Sequence, residues 1–291
     1  MSASTIRRPK KHRSFKQIMT ITLICVLVSI VAIIMILYFC GLRYLSFATN
    51  DGGSVKFLGT VDKQGVPKSG KIVYSIGLFG DVDTETGTIT YSNGDMYTGS
   101  LKNLLRDGEG TMVYKNGDRY TGQWTGDIIN GQGTFKYSNG DTYTGEFKNA
   151  VIDGKGIYTM HDGSIYEGDF KDGMRNGYGK LTLASGDTYE GNYVRDEKSG
   201  KGTYKWANGD TYTGDYSNDA CCGKGTFTWA NGESYTGDFN YGTMSGEGVY
   251  KWPDGRTYEG YFEGGLIVRD KDGNPVGDDL ESIIEGTAAA E

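Results

Sequence analysis

Large apolar residues fall along this chain in two patterns. From Ile18 to Leu42 they run almost without a break and without a charge. From Tyr74 onward they alternate with small or polar residues in short runs, and the runs repeat every 23 residues. Tyr74, Tyr97, Tyr120, Tyr143, Tyr166, Tyr189, Tyr212, Tyr235 and Tyr258 lead the copies, with no insertion or deletion between them. A period of this size marks a repeat architecture.

With the leading Tyr as position 0, large residues occupy positions 0 and 4 and Gly position 2, as in Tyr143, Phe147 and Gly145. Gly returns at positions 11 and 13 and large residues at 15 and 17, as in Gly223, Gly225, Phe227 and Trp229. Such alternation predicts two strands per copy, each with one buried face. Asn-Gly-Asp, as in Asn116-Gly117-Asp118, or a variant that keeps the central Gly, closes each copy and signals a hairpin. A plain two-residue loop there would turn one strand's large residues to the wrong face, so a three-residue loop with a bulged Gly is expected. The other turn is expected over positions 7 to 10, which sets the position 4 ring opposite the position 13 Gly. The predicted fold is all-β: an elongated, single-layer antiparallel ribbon of repeated β-hairpins, preceded by one transmembrane α-helix.

Five segments follow. Residues 1–16 form a basic head with six Lys or Arg and no acid. Residues 17–42 form the membrane helix, long enough to cross about 30 Å of hydrocarbon. Residues 43–73 hold a turn at Asn50-Asp51-Gly52-Gly53 and a degenerate first unit, in which Phe57-Leu58-Gly59 echoes Tyr-x-Gly and a hairpin loop is shortened. Residues 74–268 are the array. Residues 269–291 are a charged tail in which Leu280, Ile283 and Ile284 could make a short capping helix. Positive charge stays cytoplasmic, so the amino end is expected inside and the repeats outside.

Composition narrows the function. Hydrophobic residues make up only 37% and Gly 47 of 291, which does not suit a compact enzyme core. The net charge is −7, and removing the six positive charges of the head leaves −13 for the rest. An acidic body disfavours nucleic acid as a partner.

Tyr-x-Gly-x-Phe, then Gly-x-Gly-x-Phe/Tyr, then Asn-Gly-Asp, resembles the MORN (membrane occupation and recognition nexus) repeat over Tyr74 to about Val268. The first copy departs, with Ile76 for Gly, and the last stops after Gly265. The resemblance implies a scaffold that organises membranes or protein partners, in some members self-associating, with no catalytic residue in the repeat itself.

Candidate chemistry is sparse, and no cofactor or metal is expected. His12 and His161 have no partner set for a triad or a metal site. Asp118, Asp141, Asp187 and Asp210 recur at a turn and are expected to serve it. Cys221-Cys222 is a candidate redox pair, whereas Cys25 and Cys40 belong to the span and its end. Position 8 is apolar in Val82, Leu105, Ile128, Val151 and Met174, then becomes Glu197, Ala220 and Thr243, so apolar loops could cover the early aromatic face but not the late one. A partner groove is therefore expected around Trp206, Trp229 and Trp252 with Tyr212, Tyr235 and Tyr258. It would take a protein or a second copy. The alternative is a surface module that stacks glycan or cell wall on these rings.

Overall fold

The computed structural model describes residues 15–49 and 52–276. The head up to residue 14 with His12, the Asn50-Asp51 part of the first turn, and the Leu280, Ile283 and Ile284 segment lie outside the described residues. The chain divides into two units, Met1–Leu105 and Arg106–Glu291. Among the described residues the strands of each unit are antiparallel, and within each unit every strand pairs with its neighbours in sequence.

The first unit opens with α1 (Phe15–Phe39), followed by β1 (Leu42–Ala48), β2 (Ser54–Val61), β3 (Pro67–Tyr74), β4 (Phe79–Asp83), β5 (Thr88–Tyr91) and β6 (Met96–Lys102). The helix ends three residues before the expected limit of the span. Gly41 takes a φ of +80, which breaks the helix, and Leu42 already belongs to β1. Phe57 does the work of a leading Tyr: it is fully buried, and its ring crosses the paired Gly59 and Gly70.

That placement corrects the phase of the early copies. Ile72 pairs with Phe57, and Tyr74 closes the following turn by donating its N–H to the Leu78 carbonyl. Tyr74 therefore stands at position 17 of a full first copy and leads nothing. The shortened hairpin is the second one, β4–β5, whose strands have 5 and 4 residues where a regular copy such as β10–β11 has 7 and 9. A loss of six residues there puts Tyr74 in step with the later tyrosines by coincidence, since Tyr97 follows Phe57 by 40 residues.

The second unit is a run of regular hairpins. The strands are β7 (Leu105–Val113), whose first residue falls in the first unit, β8 (Arg119–Thr125), β9 (Ile128–Lys136), β10 (Thr142–Lys148), β11 (Val151–Thr159), β12 (Ile165–Lys171), β13 (Met174–Thr182) and β14 (Thr188–Val194). There follow β15 (Glu197–Lys205), β16 (Thr211–Ser217), β17 (Ala220–Thr228), β18 (Ser234–Asn240), β19 (Thr243–Lys251), β20 (Thr257–Glu263) and β21 (Leu266–Asp270). The last strand runs two residues past the expected end of the array, and Arg269 bridges Pro275.

The Asn-Gly-Asp turn is the expected three-residue loop. Tyr137 N–H donates to the Asp141 carbonyl and Gly140 N–H to the Tyr137 carbonyl, with Gly140 at φ +99. The other turn is tighter than expected and lies earlier. It is a two-residue turn at positions 6 and 7, with both residues at positive φ, as in Asn149 (+50) and Ala150 (+64) or Asn218 (+48) and Asp219 (+66). The register is corrected with it. Gly145 faces Gly156 and Tyr143 faces Tyr158, so glycine opposes glycine and ring opposes ring. Between Gly145 and Phe147 the second strand carries two extra residues, absorbed at Gly154 with φ +113. An excess of two preserves the face of every side chain.

Candidate binding groove

The two faces of the second unit differ in chemistry. On one, each leading Tyr folds along its own strand. Tyr143 donates to the Glu146 carbonyl (3.0 Å), Tyr166 to Asp169 (3.1 Å), Tyr212 to Asp215 (3.0 Å) and Tyr235 to Asp238 (3.0 Å). The position 4 rings meet these edge to face. Centroids lie 5.1 Å apart for Tyr143–Phe147 and 5.3 Å for Tyr143–Phe170, and the column continues through Tyr166, Tyr193, Tyr189, Tyr216, Tyr212, Phe239, Tyr235 and Phe262 to Tyr258. Burial pushes the hydroxyls of Tyr120, Tyr143, Tyr166, Tyr189 and Tyr235 up to about 12.

Position 9 caps this column. The Arg106 guanidinium lies 4.3 Å from the Trp124 ring centroid and pairs with Asp127 (2.9 Å), and Arg175 lies 4.8 Å from the Tyr193 ring and pairs with Asp196 (3.0 Å). Position 8 lies at the start of a strand; Ile128 and Val151 are exposed there and do not fold over the rings, whereas Leu105 is buried, as is Val82, and Met174 is half-buried.

Positions 15 and 17 make a second row of rings beside the first. It runs Tyr204, Trp206, Phe227, Trp229, Tyr250, Trp252, with successive centroids 4.5, 5.2, 4.7, 5.5 and 4.9 Å apart. The structure thus puts Trp206, Trp229 and Trp252 in one row, and Tyr212, Tyr235 and Tyr258 in the column next to it. Tyr212 and Tyr235 are fully buried and Trp252 nearly so, whereas Trp206, Trp229 and Tyr258 are half-buried. Only the last three present surface to a partner.

The opposite face carries a groove of about 920 Å³ that the sequence reading misses. Glycine backbone, Thr203, Thr213, Thr226 and Thr236 line it, with Lys201, Lys224, Glu190 and Glu247 along its length and Tyr178 and Tyr261 at its two ends. The threonine hydroxyls pair across strands at 3.0 Å, Thr203 with Thr213 and Thr226 with Thr236. Lys201 pairs with Asp215 (2.8 Å) and Lys224 with Asp238 (2.9 Å). The signal was present as opposite charges 14 residues apart, in successive copies, as Lys155–Asp169 also shows.

The recurring Asp links turns to each other. Asp118 accepts from Ser138 N–H (2.7 Å), Asp141 from His161 N–H (2.8 Å), Asp187 from Ala207 N–H (2.8 Å) and Asp210 from Ala230 N–H (2.8 Å). The Tyr158 hydroxyl bond, followed by His161 N–H, holds the Asp141 carboxyl down at about 2. His161 sits on its turn with Nδ1 3.0 Å from the same carboxylate. Cys221 and Cys222 are adjacent on β17, so their side chains leave opposite faces, and both thiols are free. Cys221 takes the capping position 9 opposite Tyr216, where burial raises its thiol, and Cys222 faces Asp215. Among the described residues no three His, Cys, Asp or Glu side chains are grouped to hold a metal ion.

No curated protein matches the chain. Among solved structures, the SAS-4 (dCPAP) TCP domain in complex with a proline-rich motif of Ana2 (dSTIL) of Drosophila melanogaster is 15% identical, with 70% of this chain and 97% of that chain covered and a TM-score of 0.33. A streptogramin B lyase structure is 13% identical, with 80% and 88% covered and a TM-score of 0.16. Neither likeness is close enough to carry an argument. The MORN repeat pattern, by contrast, matches seven consecutive copies, 97–119, 120–142, 143–165, 166–188, 189–211, 212–234 and 235–255. Those copies fill more than half of the chain and coincide with its ring-over-glycine hairpins, so the chain belongs to the MORN repeat family and has the repeat-built binding or scaffold role of that family.

Proposed function

We propose that this is a single-pass membrane scaffold, with its amino end in the cytoplasm and its MORN array outside, where it recruits a protein partner or organises membrane. The observation that carries the proposal is the junction of α1 and β1. The helix has 25 residues, about 37 Å at 1.5 Å per residue, and its side chains from Thr22 to Phe39 are apolar enough to cross a bilayer. Only Cys40 and Gly41 separate it from the sheet. Arg43 donates to the Tyr38 carbonyl (2.7 Å) and lies 3.6 Å from the centre of the Tyr38 ring, an aromatic at the level where such rings anchor helices. The six basic residues before the span set the direction.

The role is binding rather than catalysis. The recurring carboxylates are engaged with turn backbone, and the rings with one another. Self-association is a further part of the proposal. Among the described residues β1 pairs only with β2, which leaves its outer edge open to a strand of another copy.

Protease protection in intact cells, with a tag after Glu291, tests the topology. Loss of the tag to external protease is the expected result. A tag protected until the membrane is opened would place the array inside and overturn the orientation.

A further inference from the structure

We infer that the groove on the polar face of the second unit is a binding site for an uncharged oligosaccharide. The inference goes beyond the scaffold role and rests on the outward orientation only for where such a ligand would be met. Three observations carry it.

The first is what the groove floor withholds. It lies on the face of the sheet, between strands whose N–H and C=O groups are bonded to neighbours on both sides, as β16 is to β15 and β17. An extended peptide cannot add to it as a strand, because strand addition needs a free edge. A ligand must be held by side chains, and those on offer are hydroxyls, carboxylates, ammonium groups and rings.

The second is charge. Lys201 and Lys224 are answered by Asp215 and Asp238, and the carboxylates of Glu190 and Glu247 accept from the hydroxyls of Tyr178 (2.8 Å) and Tyr261 (2.9 Å). The lining as a whole carries Glu190, Glu247 and Glu259 against Lys201, Lys224 and Lys271, so neither sign of charge dominates it. It suits a neutral chain rich in hydroxyl donors and acceptors.

The third is the placing of rings. Tyr178 is 54% exposed, and the bond to Glu190 fixes its hydroxyl. Tyr261 is held in the same way on Glu247 at the other end. Seven strand steps separate β13 from β20, about 34 Å at 4.8 Å per step, which is the length of a short sugar chain rather than of a single sugar. A ring fixed at its hydroxyl keeps a flat apolar surface free for the face of a pyranose, at small cost in side-chain entropy.

The test is calorimetric titration of the full chain in detergent micelles with cellohexaose, chitohexaose and maltohexaose, and with polygalacturonate and tetralysine as charged probes. One neutral hexaose is expected to bind, with affinity unchanged between about 0.05 and 0.5 M salt. Tyr178→Ala and Tyr261→Ala are each expected to weaken it about tenfold or more, with the thermal midpoint unmoved because both residues lie at the surface. No binding by any hexaose at millimolar concentration would overturn the inference. So would preference for either charged probe, or binding that survives both tyrosine variants and is lost in Trp229→Ala. Because the micelle has no sides, this result is independent of the protease test of orientation.

Discussion

The hydroxyl of Tyr143 reaches the carbonyl of Glu146, 3.0 Å away, by laying its ring across Gly145. This one contact accounts for the Tyr-x-Gly signature. A Cβ on Gly145 would stand 2.5 Å from the Tyr143 hydroxyl, from the Gly156 Cα and from the Lys155 carbonyl. Two of those three atoms are backbone and cannot yield. Gly145→Ala is expected to destabilise the detergent-solubilised chain by about 3 kcal/mol. Gly163→Ala meets nothing within 4 Å and strains only a φ of +91, so about 1 kcal/mol is expected. Urea denaturation of the two variants checks the ranking, and equal losses would refute the explanation.

Tyr193 breaks the pattern of satisfied hydroxyls. Its side chain is 1% exposed and its hydroxyl has no hydrogen-bond partner, unlike those of the leading tyrosines. Tyr193→Phe is expected to stabilise the chain by about 1 kcal/mol, and Tyr143→Phe to destabilise it by a similar amount. Thermal midpoints that move in the same direction would contradict this assignment.

The turn aspartates predict an acid limit. Asp118 and Asp187 are held below the usual carboxylate range by backbone N–H groups of the next turn, and Asp141 is held at about 2, first by the Tyr158 hydroxyl. A depressed folded value stabilises above the unfolded value of about 3.9, and the contribution is lost as pH falls from there through about 2. Denaturant midpoints measured across that window should fall steeply, and Asp141→Asn should flatten part of the fall.

The ring column predicts an alkaline limit of opposite sign. Burial raises five leading tyrosines to about 12, so their contribution is whole below the unfolded value of about 10 and is lost as pH rises through about 12. Tyrosinate absorbance should rise in two phases, the later one coinciding with loss of β-sheet circular dichroism. A single phase near the unfolded value would show the column open to water.

Period and face are legible in the sequence because alternation repeats without drift: Tyr143, Gly145 and Phe147 can only be a strand with one buried side. The Asn-Gly-Asp loop is legible because parity permits few alternatives. The two-residue turn escapes because its members share a backbone conformation and not a residue type: Asn103-Leu104, Arg195-Asp196 and Tyr241-Gly242 all adopt positive φ. Missing that turn displaces the register, and with it the recognition that glycine pairs with glycine. Tyr74 misleads because one hairpin lost as many residues as separate position 17 from the next leading residue. The aromatic rows are visible from spacing alone, but burial is not: Trp252 is buried whereas Trp206 and Trp229, at the same position of their copies, are half-buried. The groove on the polar face depends on residues that belong to different copies, so no single copy displays it.

The links between turns have a consequence for how such a chain can change length. Asp141 holds the turn that follows it, Ala150 N–H bonds the Ile129 carbonyl of the copy before, and Phe147 packs on both Tyr143 and Tyr120. Every copy is completed by its neighbours, so no boundary between copies is natural and any residue can serve as the start of the period. A duplication or deletion in the underlying gene need not respect the hairpin. It has only to span a multiple of 23 codons, and the joint it leaves will look like every other.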